Sequence, residues 1–214
     1  MLCAIAAGGL AHWPEPFLIM MNRHECFSAL SRYVTDEVVV ACYSAAHEWL
    51  ALNDRPLNHY SWGAMGLASS HGLGLALGFP KRRVLVFDGD GSLLMNLGSL
   101  VTIAAAAPRN LIHFVVQNNC YEANGGHPLP HSDIDFVSFA RAAGIRACHS
   151  FSDLSVFKAQ LPQLLQAEGP VFVALKIQHT PLAADEYAEM PHQYTEMFKP
   201  ARRAALRAAL HAMQ

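Results

Sequence analysis

Short runs of β-branched and aromatic residues alternate along the chain with longer stretches whose apolar positions recur at helical spacing, so strands and helices follow one another throughout. The spacing predicts an amphipathic helix from about Arg23 to Tyr33, a buried strand over Glu37–Tyr43 and a helix over Ser44–Leu52. A loop carrying Asn53, Asp54, Arg55 and Pro56 leads into Tyr60-Ser61-Trp62-Gly63. Met65–Gly78 then reads as a helix of small residues, stopped by Gly78-Phe79-Pro80. Its small positions, Gly72 and Gly74 among them, mark a close contact, made either with another chain or with the protein's own sheet. Further strands are expected at Arg83–Phe87, Leu111–Gln117, Arg146–His149 and Val171–Ile177. Between them fall helices over Asn96–Ala106, ended by Pro108, and over Asp153–Ala167. A third, Asp133–Ala143, takes Ser132 or Asp133 as N-cap and Gly144 at its C-terminal end.

Strands separated by helices imply an α/β fold of three layers, α/β/α, around a mainly parallel central sheet wound with right-handed crossovers. Ligands of such sheets bind beyond the carboxyl ends of the strands. The segments Ser44–His47, Asp88–Ser92 and Asn118–Gly126 all fall there.

Composition changes this picture little. Hydrophobic residues make up 52% and charged ones 15%. Either part of the surface is covered by another chain, or the sheet is buried on both faces. A net charge of −2 gives no electrostatic case for nucleic acid or an anionic membrane. Lys199, Arg202, Arg203 and Arg207 read as a solvated face of a helical tail. The 5 cysteines are scattered without a CxxC pair, which argues against disulfides, structural zinc and iron–sulfur clusters and favours a reducing cytoplasm. The apolar N-terminus lacks a basic start and is broken by Pro14, Glu15 and Pro16, so it fits neither a membrane span nor a signal peptide. The expected organisation is an extension at 1–21, one domain at 22–180 and a helical tail at 181–214.

The densest chemistry lies between Val84 and Pro130. Asp90 stands between Gly89 and Gly91, after a strand and before a helix. Those glycines let backbone N–H groups approach an anion, the helix start favours phosphate, and Ser92 adds a hydroxyl. Positions 92–117, 26 residues, separate Gly91 from a pair of asparagines, Asn118 and Asn119. Magnesium takes an octahedron of oxygens. The Asp90 carboxylate, an asparagine amide oxygen and the main-chain carbonyl of Tyr121 can supply three of them, leaving the others to diphosphate and water.

This GDG…NN pattern resembles the diphosphate-binding signature of thiamine-diphosphate enzymes. Trp62-Gly63-Ala64-Met65-Gly66 resembles the stretch that holds the aminopyrimidine ring in their decarboxylases. The likeness runs through GAMGLASSHGLGLALG, DGDGSLLMNLGSL and NNCYEANGGHP, from about Arg23 to Ile177, and covers the diphosphate-binding (PP) domain. Within the family the chain looks like the β chain of sulfopyruvate decarboxylases and the related phosphonopyruvate decarboxylases. The resemblance implies the thiamine-diphosphate-binding fold, with thiamine diphosphate and Mg2+ as cofactors. Asp90, Asn119 and the Tyr121 carbonyl would hold the metal. Ser44, Gly89, Gly91 and Ser92 would approach the diphosphate, with helix capping an equal reading of Ser44. Gly63 would accept from the 4′-amino group, and Met65 would wedge under the cofactor or, on its own chemistry, simply fill core.

The same resemblance implies decarboxylation of a 2-oxo acid to an aldehyde, and a glutamate from a pyrimidine-binding (Pyr) domain to activate the cofactor. A chain of 214 residues has no room for a second domain of about 150, so that glutamate is expected on a partner chain, in a hetero-oligomer with PP–PP contacts. His127, after Gly125-Gly126, is the first candidate to move protons and His47 the second. The sequence shows no cluster of arginines at the site, so donors for a sulfonate or phosphonate are expected on the partner. The β chain of a 2-oxoacid:ferredoxin oxidoreductase, a carboligase and a non-catalytic cofactor-binding module are the competing readings.

Overall fold

The computed structural model describes residues 20–61, 65–131, 134–180 and 194–212. Six strands form one sheet: β1 (Val38–Cys42), β2 (Asn58–Ser61), β3 (Val84–Gly89), β4 (Leu111–Gln117), β7 (Ala147–Phe151) and β8 (Val171–Lys176). Their order is β2-β1-β3-β4-β8-β7, and every pairing is parallel. Two short strands, β5 (Cys120–Tyr121) and β6 (His127–Pro128), make a separate antiparallel ribbon. The helices are α1 (Arg23–Ser31), α2 (Tyr43–Leu52), α3 (Ala68–Gly78), α4 (Asp90–Leu94), α5 (Gly98–Ala106), α6 (Phe136–Ala142), α7 (Leu154–Gln166) and α8 (Pro200–His211). This is the expected three-layer α/β/α arrangement.

The central strands are buried end to end because both faces carry helices: all of VVVAC in β1 and LIHFVVQ in β4 is inaccessible. On one face Phe27 of α1 and Trp49 of α2 pack on Phe87 at ring-centroid distances of 4.9 Å each, and Phe87 meets Phe114 at 5.6 Å. On the other face Leu73, Leu100, Ile103 and Phe136 cover Val86, Val115 and Phe172. Leu206 and Leu210 of α8 join that second core. Arg202 holds the same helix by a forked pair with Asp54 and lies 5.8 Å over the ring of Tyr60. Met21, inside the expected extension, is buried and bridges Ile177.

Four boundaries differ from expectation for physical reasons. The sequence Asn58-His-Tyr-Ser61 is a strand rather than loop; at the sheet edge it needs no continuous apolar run, and Asn58 is held by Trp49 Nε1 at 3.1 Å. The helix expected from Met65 starts at Ala68, because Gly66 takes φ +84°. The helix after Gly91 is two pieces, α4 and α5, separated by a turn at 95–97. Ser132 and Asp133 lie outside the described residues; Asp135 caps α6 instead, accepting from the Ser138 N–H at 2.9 Å.

Edge strand β2 also carries a titrating group. His59 packs against His71, with ring centroids 5.2 Å apart. Burial, and secondarily the charge of His71, pushes its pKa from 6.5 down to about 4. Because the folded chain refuses a proton that the unfolded chain accepts, stability is lost as pH falls below 6.5 and levels off near 4. We expect a loss of about 2 kcal/mol between about pH 7 and about pH 5 from this residue. Thermal unfolding at about pH 7 and about pH 5 checks it; His59→Gln should shrink the difference, and an unchanged difference would assign the acid sensitivity elsewhere.

Candidate cofactor site

The strand order places β2 on one side of β1 and β3 on the other, so the connections that leave β1 and β3 run in opposite directions and a crevice opens at the carboxyl ends of the two strands. Two helices start at its rim. Helix α2 begins directly after β1, with Tyr43 in the left-handed region (φ +48°) and no side chain capping its first turn. Helix α4 begins at Asp90, and its N-cap Gly89 likewise offers no side chain. Ser44, Ala45, Gly91 and Ser92 line the resulting cavity, so two helix starts border one space.

Asp90 is 1% exposed. Its Oδ1 accepts from the Gly91 N–H at 2.7 Å and its Oδ2 from the Asn119 N–H at 2.6 Å. Burial raises its pKa to about 7; the Glu122 charge adds to this, and the backbone donors Asn119, Gly91 and Asn118 oppose it. A buried carboxyl so perturbed beside a cavity is a natural cation ligand. A Cβ on Gly91 would lie 2.5 Å from Tyr121 Cδ1, so glycine is what lets the Tyr121 ring close over the turn.

The asparagine loop carries strain of its own. Asn119 sits at φ +61°, turning its N–H to Asp90, while its side-chain oxygen accepts from Gln117 Nε2 at 3.5 Å. The Tyr121 carbonyl accepts from the Gly126 N–H at 3.1 Å and keeps a second lone pair. Asn118 spans the loop base, with Oδ1 accepting from the Cys120 N–H at 3.1 Å and Nδ2 donating to Glu122 Oε2 at 3.0 Å.

Of the residues singled out in the sequence, Ser44, Met65, Gly89, Asp90, Gly91, Ser92 and Tyr121 share the cavity wall. Asn119 reaches it through Asp90, and Gly63 lies outside the described residues. His127, in β6, is exposed opposite Tyr121, and His47 packs on the Tyr194 ring at 4.8 Å; neither lines the cavity. The Ser92 hydroxyl also ties two segments of the site together. It accepts from the Gly66 N–H at 2.9 Å, while Asn96 Nδ2 donates to the Gly66 carbonyl at 2.8 Å. The residue after Met65 is thereby fastened to the turn at Asp90.

Sequence reasoning missed three further groups. Arg23 and Glu122 stand on the same wall, so a cation is present where the absence of an arginine cluster had moved the donors to a partner. Behind the turn, buried Asp88 receives Cys42 Sγ at 3.2 Å and His113 Nε2 at 3.3 Å. The signal there was legible: a titratable residue inside an otherwise apolar strand must find a partner. Cys42 and Cys120 are neutral thiols, with burial raising the first well above its usual value and the second to about 12.

Two uncapped helix starts, a buried carboxyl and amide oxygens around one space fit a diphosphate bridged by a divalent ion. The chain belongs to the thiamine pyrophosphate enzyme family: residues 40–175 match the family's C-terminal TPP binding domain. It is 39% identical over 163 residues to a phosphonopyruvate decarboxylase of Streptomyces hygroscopicus, covering 76% of this chain and 40% of that one. It is 38% identical over 160 residues to the sulfopyruvate decarboxylase subunit beta of Methanothermobacter thermautotrophicus, covering 74% and 83%. The chain thus spans less than half the length of the first relative and most of the second. Among solved structures, benzoylformate decarboxylase from Polynucleobacter necessarius has the same fold (TM-score 0.64, 19% identity, 80% of this chain and 36% of that one).

Proposed function

We propose that this chain is the PP-domain (β) subunit of a two-chain thiamine-diphosphate-dependent decarboxylase acting on a 3-substituted pyruvate, sulfopyruvate first and phosphonopyruvate second. The observation that carries the proposal is the cavity in which Asp90 meets two uncapped helix starts at the switch point of the sheet. Likeness to a named β subunit over 83% of that subunit's length supports a two-chain arrangement. We assign residues 22–180 to the cofactor domain, 1–21 to an extension and 181–214 to a tail. Free buried cysteines, Cys26, Cys42, Cys120 and Cys148, support a cytoplasmic setting. No helix among the described residues is long and apolar enough to cross a membrane.

Bound here, thiamine diphosphate would supply the carbanion and electron-sink chemistry that decarboxylation of a 2-oxo acid requires. The chain's own residues bind and orient. Asp90, the Asn119 amide oxygen and the Tyr121 carbonyl hold Mg2+. The N–H groups of the α2 and α4 starts, with Ser44, receive the diphosphate. Met65, fixed through Gly66, would pack against the cofactor, and Gly63 would accept from its amino group. His127, exposed on the ribbon whose other strand carries Tyr121, is assigned the proton delivered to the product, ahead of His47. A Pyr-domain partner supplies the activating glutamate. Exposed Leu77, Met95 and Val101 on α3, its neighbouring turn and α5 support a PP–PP contact in the assembly.

Purification of the tagged chain from its source cells, followed by mass identification of co-purifying chains, tests this. A stoichiometric Pyr-type partner should appear, and the pair should release CO2 from sulfopyruvate or phosphonopyruvate while the chain alone does not. Turnover by the chain alone, or a reconstituted pair inert toward both acids, would refute the proposal.

A further inference from the structure

Arg23, the first residue of α1, lies 99 positions from its main partner. Its Nη1 donates to Glu122 Oε2 at 2.6 Å, and its Nε is 3.7 Å from Glu48 Oε2, an ion pair too long for a hydrogen bond. The side chain is 14% exposed, and Nε is buried with no hydrogen-bond acceptor among the described residues. Buried guanidinium donors are ordinarily satisfied. Among the described residues that line the cavity, Arg23 is the one cationic side chain. Glu122 also lines that wall, and Asp90 beside it is acidic. A diphosphate keeps net negative charge after a divalent ion has bound, and enters a space already facing two carboxylates. It needs a cation there, and an arginine held at one edge by Glu122 has the rest of its fork to offer.

We propose that Arg23 is a diphosphate-binding residue: Glu122 and Glu48 fix its guanidinium, and its remaining N–H groups on the cavity wall donate to the cofactor's phosphate oxygens. The proposal rests on the reading of this cavity as the diphosphate site. It makes α1, outside the Gly-Asp-Gly and asparagine segments, part of the cofactor machinery. The competing role is purely mechanical. In that case Arg23 props the asparagine loop through Glu122 and Asn118, and touches only metal affinity.

Equilibrium binding of thiamine diphosphate to the full chain across a series of Mg2+ concentrations separates the two. Arg23→Ala should weaken thiamine diphosphate roughly 10- to 100-fold, and thiamine monophosphate clearly less. Arg23→Lys should recover part of the loss, and Arg23→Gln serves if the alanine variant folds poorly by circular dichroism. Glu122→Gln, which keeps an acceptor for the loop but loosens the anchor of the guanidinium, should weaken thiamine diphosphate less than Arg23→Ala does. Equal losses in the Arg23 and Glu122 variants, both restored by raising Mg2+, would overturn the proposal in favour of the prop. Unchanged cofactor affinity in Arg23→Ala, with a raised KM for the anionic substrate in the assembled enzyme, would overturn it in favour of a substrate contact. Asp90→Ala run alongside identifies a different failure: wild-type binding in that variant would remove the cavity itself as the diphosphate site.

Discussion

Asp90→Ala should abolish Mg2+-dependent binding of thiamine diphosphate, a loss of at least about 100-fold in affinity, and with it all decarboxylation by the assembled enzyme. Two losses combine at this residue. On the proposed site the metal would forfeit the one carboxylate this chain offers it, and the Asn119 and Gly91 N–H groups lose the acceptor that orders the turn and holds Asn119 in the left-handed region. In wild type, cofactor with Mg2+ should raise the unfolding temperature if only the folded chain binds it; at 100 times Kd that is about 2.7 kcal/mol. The variant should show no such rise. Asp90→Asn separates the contributions, since the amide keeps one acceptor while placing an NH2 against a backbone donor. Decarboxylase activity retained by Asp90→Ala with its partner would sink the site.

Much of this architecture was legible from the sequence, and the parts that were not share a cause. Strands β1, β3, β4 and β8 announce themselves because burial on both faces demands uninterrupted apolar runs. Helix α7 does so through Asp153, whose Oδ1 accepts from Ser155 and Val156 N–H as an N-cap should. Strand β2 is silent because an edge position imposes no such demand. The start of α3 is silent because what keeps Met65 and Gly66 out of the helix is a pair of side chains, Ser92 and Asn96, more than twenty residues away. The site divides in the same way. Asp90, Gly91 and Tyr121 follow from local spacing, whereas Arg23 meets Glu122 only through the fold.

The small-residue helix α3 was ambiguous between a contact with its own sheet and one with another chain, and the structure divides its positions between the two faces. A Cβ on Gly72 would lie 2.2 Å from Val86 Cγ2, inside the second core, whereas Gly74 has nothing within 4 Å. Gly72→Ala must therefore push α3 off β3 or force Val86 from its rotamer, and α3 leads back through Leu67 and Gly66 to Met65. We expect a destabilisation of about 2–4 kcal/mol. Gly74→Ala, one half-turn away in the same helix, should be neutral or stabilise by up to about 1 kcal/mol, since alanine lowers the entropy of the unfolded chain without meeting an atom. Denaturant unfolding of the two variants as isolated chains reads both effects. The pair also reports on assembly. If Gly74 faces a second copy in the complete enzyme, its alanine variant keeps full monomer stability and loses oligomer. If it does not, the sedimentation profile stays unchanged. Comparable destabilisation of the isolated chain by both substitutions would contradict the division of this helix into an inner and an outer face.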